Sequence, residues 1–225
     1  MKILNEKELA VIIPVFNEAQ NLSQTIKALS EIGVFIIVVD DGSSDESVAI
    51  CEEFPNITLL KHKTNLGYVK ALNTGFEFVA SKSFKYVATF DADGQLQTKD
   101  LIKLLDKAKN KQSDLIVGHR NFKNRYAESL FAMITKYFFK LNDPFCGLKL
   151  YKMDSIRKLL PFDTYNLIGA ELLFRSLSNQ LKIDQLPISV KSRSGSSRFG
   201  NSLYGEFIII IASIKILCRF TKILR

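Results

Sequence analysis

The feature that most constrains this chain is a series of short, continuously apolar runs, each followed by a stretch with helical spacing. Val11-Ile-Ile-Pro-Val-Phe16, Phe35-Ile-Ile-Val-Val39, Ile57–Leu60, Tyr86–Phe90 and Asp114–Val117 have strand composition without polar alternation. Such strands are buried on both faces, as in a parallel sheet covered by helices. The segments between them supply the helices: Glu18–Leu29, with Leu22, Ile26 and Leu29 on one stripe, then Glu46–Phe54, Val69–Ala80 and Asp100–Lys109. The order predicts an α/β fold, a Rossmann-like, mainly parallel sheet with helices on both faces. In that architecture ligands bind beyond the carboxyl ends of the strands.

The polar residues sit where that rule needs them. Asn17-Glu18, Asp40-Asp41 and Asp91-Ala-Asp93 each follow a predicted strand directly, so the clusters converge on one edge. The period-two alternation of extended chain lets Asp91 and Asp93 point the same way. Two hard oxygen ligands left open toward a diphosphate suit Mg2+ or Mn2+, and Gln95 can add a carbonyl oxygen. The alternative is a turn in which the two acids cap the next helix. Asp40 and Asp41, beside Gly42, are placed to accept from a ribose hydroxyl or a base N–H, or else to cap a helix, a task that Ser43, Ser44 or Asp45 can also perform. Four acids gathered at one edge demand cationic compensation, which makes the two clusters together more specific than either alone.

A chain of 225 residues that is 47% hydrophobic can bury a core of ordinary to large domain size. The net charge of +8 favours anionic partners. A nucleic-acid-binding module is disfavoured, because acids at the ligand edge would repel a phosphate backbone; no nucleic-acid partner is expected. Cys51, Cys146 and Cys218 are too dispersed for a zinc site or a disulfide framework and read as thiols of a reducing compartment. Met1–Leu9 has no apolar stretch of signal-peptide length, so a cytoplasmic location is expected. Phe207–Leu217 is apolar but interrupted by Lys215, and falls short of the roughly 20 residues a spanning helix needs. Its basic flanks, Lys215, Arg219, Lys222 and Arg225, suit a helix lying on an anionic membrane surface; the alternative is a core helix. Arg120–Lys140, with Leu130, Ile134, Tyr137 and Phe138 near helical spacing, has the same two readings. The chain is accordingly divided into a catalytic unit over 1–205 and an apolar, basic helix over 206–225.

Several motifs in order resemble the family 2 glycosyltransferases of GT-A fold, in particular the dolichol- and polyprenyl-phosphate sugar synthases. They are Ile13-Pro-Val-Phe-Asn-Glu18, Val38-Val-Asp-Asp-Gly-Ser-Ser-Asp45, Asn65-Leu-Gly67, Phe90-Asp-Ala-Asp-Gly-Gln95, Gly118-His-Arg120, Asp143-Pro-Phe-Cys-Gly-Leu-Lys149, Gly169-Ala-Glu-Leu-Leu173 and Arg193-Ser-Gly-Ser-Ser-Arg198. The resemblance implies that Pro14, Phe16, Glu18, Asp41 and Asp91 line the pocket of a UDP- or GDP-linked sugar, with Asp91, Asp93 and Gln95 at the metal. It implies that Arg120, Arg193 and Arg198 face the phosphate of a lipid acceptor, and Arg125, outside the matched motifs, is a further candidate for that phosphate. Arg198 stands where the lipid-phosphate branch usually has Lys, and Arg193 lies two rather than three residues before Gly195.

The expected reaction moves a sugar, with inversion, onto a polyprenyl or dolichyl phosphate at the cytoplasmic face of a membrane. Asp93, Arg120 and Glu171 are the candidate catalytic groups. A phosphate acceptor is already a nucleophile and needs arginines to align it, whereas a hydroxyl acceptor needs a general base, for which Glu171 is the candidate. The structural alternative for Glu171 is a helix-start carboxylate held by the dipole. His62 and His119, with no carboxylate partner evident in the sequence, read as structural. A nucleotidyltransferase is the weaker enzymatic alternative, since neither G-x-x-x-x-G-K-[ST] nor G-x-G-x-x-G is present.

Overall fold

The computed structural model describes residues 8–121, 126–191 and 203–220. Strands β1 (Leu9–Val15), β2 (Phe35–Asp40), β3 (Ile57–Lys61) and β4 (Tyr86–Thr89) alternate with helices α1 (Ala19–Ser30), α2 (Ser47–Glu52) and α3 (Tyr68–Ala80). Helix α4 (Thr98–Lys111), β5 (Leu115–Arg120), α5 (Tyr126–Phe139), β6 (Lys149–Lys152), α6 (Met153–Ile156), α7 (Glu171–Ser178), β7 (Ile183–Ile188) and α8 (Leu203–Phe220) follow. The five strands and the helices between them fall where the apolar runs and helical stripes put them.

The strands form one seven-stranded sheet in the order β3-β2-β1-β4-β6-β5-β7. Only β6 is antiparallel to its neighbours, so the sheet is mainly parallel. The chain proceeds outward from β1 through β2 to β3, then returns to lay β4 on the other side of β1. That reversal opens the crevice in which α/β proteins bind ligands.

Alternation along β1 divides the core. Leu9, Val11, Ile13 and Val15 pack with Leu22, Ile26 and Leu29 of α1 and Leu101, Leu104 and Leu105 of α4. Ala10 and Ile12 face the other way, toward Ala71, Leu72 and Phe76 of α3 and Phe131, Phe174, Ile216 and Phe220 of α5, α7 and α8. Helices therefore cover both faces. The region after Gly118 contributes β6 and β7 to the same sheet. Helix α5 and the C-terminal helix α8 each bury one face on this core, as the core-helix reading required. Lys222 and Arg225, weighed above as membrane flanks, lie outside the described residues.

Helix α3 approaches β1 closely because Gly75 faces the strand: a Cβ there would sit 2.4 Å from Ile12 Cγ2. Ile12 is fully buried and cannot swing aside. Replacing Gly75 with Val should therefore lower unfolding free energy by about 1–3 kcal/mol, seen as a reduced urea midpoint with the m-value unchanged.

Candidate active site

Loops following β1, β2 and β4 meet at the carboxyl edge, and side chains cross-link the first two. Asn17, with φ 53, turns the chain out of β1. Its N–H donates to Ser43 Oγ at 3.0 Å, and its Oδ1 accepts from Ser44 N–H at 2.8 Å. The Glu18 N–H donates to Ser47 Oγ and the Ala19 N–H to Asp45 Oδ2, both at 3.0 Å. Asp45 Oδ1 also accepts from Ser47 N–H, so the capping duty expected of this segment belongs to Asp45. Pro14 is buried opposite Val39, Phe16 is half-buried just past the strand, and Glu18 is buried.

Asp40 and Asp41, equivalent in sequence, have separate jobs. Asp41 Oδ1 accepts from Leu66 N–H at 2.9 Å and Oδ2 from Gly67 N–H at 2.7 Å. His62 Nδ1 lies 2.7 Å from Asp41 Oδ1, and its Nε2 lies 2.9 Å from Thr74 Oγ1. The histidine thus has the carboxylate partner that sequence could not reveal. Asp41 spends most of its accepting capacity on this turn. Asp40 Oδ2 accepts from Ser43 N–H, but its Oδ1 is buried and accepts no hydrogen bond among the described residues. A buried unsatisfied carboxylate oxygen is costly unless a ligand answers it.

The turn organised by Asp41 delivers Tyr68, whose hydroxyl donates to Asp91 Oδ1 at 3.2 Å. The other carboxylate oxygen rests on bare backbone: a Cβ on Gly147 would lie 1.8 Å from Asp91 Oδ2. Thr89 Oγ1 donates to Gly147 O at 2.6 Å and holds that segment against β4. Asp93 is largely buried, and its Oδ1 accepts from Gln95 N–H at 3.1 Å. The Gln95 side-chain amide donates to Lys191 O at 3.2 Å, and Lys191 N–H returns a bond to Gln95 O at 3.0 Å. The chain leaving β7 is thereby tied to the acidic loop. Arg193 and Arg198, which follow it, and Arg125 lie outside the described residues.

Two cations answer the acids. Lys149 is fully buried, and its Nζ donates to Cys146 O at 2.7 Å and Gly169 O at 3.4 Å. Burial draws its pKa down, against the opposing fields of Cys146, Asp143 and Asp91. Arg120 grips Asp143 through Nε–Oδ2 at 2.8 Å and Nη2–Oδ1 at 3.1 Å, and reaches Glu128 Oε2 at 3.1 Å. Burial pulls the guanidinium pKa down, but the Asp143 hydrogen bonds and charge outweigh it and hold it above its ordinary value. Asp143 and Lys149 belong to a motif noted in the sequence but given no role there. The legible signal was a lysine flanked by Leu148 and Leu150.

Glu171 starts α7 and is buried. Its Oε2 accepts from the N–H groups of Thr164 and Tyr165 at 2.6 and 2.9 Å, its Oε1 from Thr164 Oγ1 at 2.9 Å, and Arg175 Nε lies 3.3 Å away. Burial raises its pKa, but those backbone bonds prevail and hold it below the usual glutamate value. Burial, with Glu171 beside it, pushes its neighbour Asp163 up to about 6. The two carboxylates accept hydrogen bonds from the loop 163–170 ahead of α7. His119 is half-buried on β5.

Asp91 and Asp93 follow β4 directly, and Asp93 is the more buried of the two. They offer carboxylate oxygens at a strand end, and no group of three or more His, Cys, Asp or Glu that could hold a metal occurs among the described residues. The remaining coordination positions are suited to oxygens of a ligand.

Residues 10–160 match the glycosyl transferase family 2. The chain belongs to that family. It is a glycosyltransferase with the GT-A fold. It is 32% identical over 176 residues to an uncharacterized protein of Methanocaldococcus jannaschii, covering 70% of this chain and 77% of that one. It is 26% identical over 231 residues to the polyprenol monophosphomannose synthase of Mycolicibacterium smegmatis, covering 90% and 84%. The fold also superposes, with a TM-score of 0.75 at 16% identity over 96% of this chain and 80% of the other, on glucosyl-3-phosphoglycerate synthase from Mycobacterium tuberculosis in complex with Mn2+, UDP and glucosyl-3-phosphoglycerate.

The Glu171 bonds generate a pH-dependent expectation. A carboxylate whose folded pKa is depressed stabilises the protein above its unfolded value, near 4.3, and that contribution disappears as pH falls through the folded value. Glu171→Gln should therefore destabilise the fold by about 1–3 kcal/mol at neutral pH. The gap from the wild type should narrow in denaturation curves as pH falls from neutrality through the unfolded glutamate value of about 4.3 and below.

Proposed function

We propose that this glycosyltransferase moves a sugar from a UDP- or GDP-linked donor onto a polyprenyl or dolichyl phosphate, with inversion, as a peripheral enzyme on the cytoplasmic face of a membrane. The observation that carries the reading is the seating of Asp91 between Tyr68 and Gly147, beside Asp93 and at the switch point of the sheet. Relatives named as polyprenyl-phosphate sugar transferases supply the acceptor class, and the Mn2+ and UDP bound to the structural neighbour support a metal-dependent nucleotide-sugar site.

In this reading Asp91 and Asp93 would hold Mg2+ or Mn2+, which when bound would supply Lewis-acid stabilisation of the departing diphosphate. Gln95 steadies Asp93 through its backbone N–H. Tyr68 and Gly147 fix the Asp91 carboxylate in advance, so that little reorganisation accompanies donor binding. Pro14, Phe16, Glu18 and Asp41 line the nucleotide side, and the unanswered Asp40 Oδ1 accepts a donor N–H or O–H there. Arg120, held rigid by Asp143 and Glu128, is the N–H donor assigned to the acceptor side, and Arg125, Arg193 and Arg198 are the further candidates for the acceptor phosphate. An acceptor phosphate attacks from behind the anomeric carbon without a base, which inverts the configuration. The hydrogen bonds already made by Glu171 favour this acceptor over a hydroxyl, because a carboxylate so occupied and so acidic is a poor proton acceptor.

Radiolabelled nucleotide-sugars incubated with polyprenyl phosphate and Mn2+ test the proposal. Label should enter the lipid, and Asp91→Asn and Asp93→Asn should each reduce turnover by about 100-fold or more while retaining native circular dichroism. Unchanged turnover in both variants contradicts it. Tyr68→Phe should leave the fold intact and weaken Mn2+ affinity about tenfold, as read by titration in the presence of UDP.

A further inference from the structure

Helices α5 and α8 run side by side in the same direction. Their first turns are joined by Ala127 N–H donating to Glu206 Oε2 at 2.9 Å. Near their ends, Phe139 and Phe220 both pack on Phe174, with ring centroids 5.2 and 5.5 Å away. Each helix buries one face on the core, Phe131 and Phe139 from α5 and Ile209, Ile216 and Phe220 from α8.

The outward faces are apolar as well. Leu130, Met133 and Tyr137 are 58%, 63% and 75% exposed, and Phe207, Ile210 and Ile214 are 58%, 47% and 54% exposed. Their spacings of three and four residues put each set on one stripe. Large apolar side chains contiguous on a surface mark an interaction site. The charges say what it meets. Both acids of the pair are turned to internal bonds, Glu128 to Arg120 and Glu206 to the Ala127 N–H. The cations Lys136, Lys140, Lys215 and Arg219 are exposed. No helix among the described residues is long and apolar enough to cross a membrane.

We propose that α5 and α8 together form one docking face for an anionic bilayer, lying in the plane of the headgroups with the apolar stripes inserted and the cations at the lipid phosphates. The inference names the surface by which the membrane enzyme proposed above reaches its lipid, and it rests on that reading for its biological sense. The face is bonded to the site at both edges. Glu128 of α5 holds Arg120, and Arg219 of α8 stacks 3.4 Å from the centroid of the Tyr165 ring, in the loop whose Gly169 carbonyl meets Lys149.

Flotation with phosphatidylcholine vesicles, with and without phosphatidylglycerol, tests the face. The full chain should float with the anionic vesicles and be released by salt. The combined substitutions Leu130→Ser, Met133→Ser, Ile210→Ser and Ile214→Ser should lower vesicle binding by about tenfold or more. Lys136→Gln with Lys140→Gln should remove much of the preference for anionic lipid. Transfer to a short-chain polyprenyl phosphate in detergent should stay within about twofold of the wild type in both variants, since no substituted residue belongs to the site. Equal vesicle binding by wild type and serine variant overturns the proposal. So does a wild type that ignores vesicles and forms a dimer that the serine substitutions dissociate, which would assign the face to a second copy. If flotation follows the face while no lipid phosphate accepts sugar, the docking surface stands and the acceptor assignment falls.

Discussion

Strand β1 is paired on both sides, and that pairing sets the position of every group at the site. Ile12 lies beside Ile37 of β2 and Thr89 of β4, and Val15 lies beside Asp40, so the strand ends finish in one row. The burial that drives the pairing is nearly complete, because Leu9 through Ile13 have no exposed surface. A strand buried so fully cannot slip by one residue without exchanging its two packed faces, which fixes the register and with it the acids beyond the strand ends. The reversal of chain order at β1 then leaves an opening between loops rather than a closed row.

Polar contacts turn that opening into a site. Asp41 uses its carboxylate to fold the turn ahead of α3, the turn presents Tyr68, and Tyr68 reaches Asp91. The segment leading into β6 brings Gly147 against the same carboxylate, and β6 begins with the buried Lys149. This segment and the antiparallel strand thus supply the steric seat and part of the compensating charge. Acids gathered without such a cation would repel one another and titrate upward.

The sequence made the first half of the architecture readable because its strands are apolar on both faces and each ends abruptly in polar residues. Strand β6 escaped notice for the opposite reason: Lys149-Leu-Tyr-Lys152 is short, begins and ends with lysine, and hides Lys149 against the carbonyls of Cys146 and, 20 residues on, Gly169. Strand β7 pairs only with β5 and carries Asp184, Gln185 and Pro187, a composition suited to a sheet edge and unlike the central strands. The acidic clusters were legible as clusters, but the division of labour within Asp40-Asp41 was not. It depends on which carboxylate meets the turn at Leu66 and Gly67, a contact across 25 and 26 residues. The same limit applies to His62, whose partner Asp41 is 21 residues away. Glu171 was ambiguous between base and helix-start carboxylate in the sequence, and its bonds to the backbone groups of Thr164 and Tyr165, seven and six residues away, could not be read there.

The central claim is that strand-end carboxylates and a divalent cation jointly hold the donor diphosphate. Calorimetric titration of the wild-type protein with UDP and GDP, in Mn2+ and again in excess chelator, addresses it most directly. The account expects one nucleotide to bind in Mn2+ and its affinity to fall by about tenfold or more when the metal is removed. Nucleotide affinity indifferent to the metal, or a folded protein that binds neither diphosphate in its presence, would contradict it.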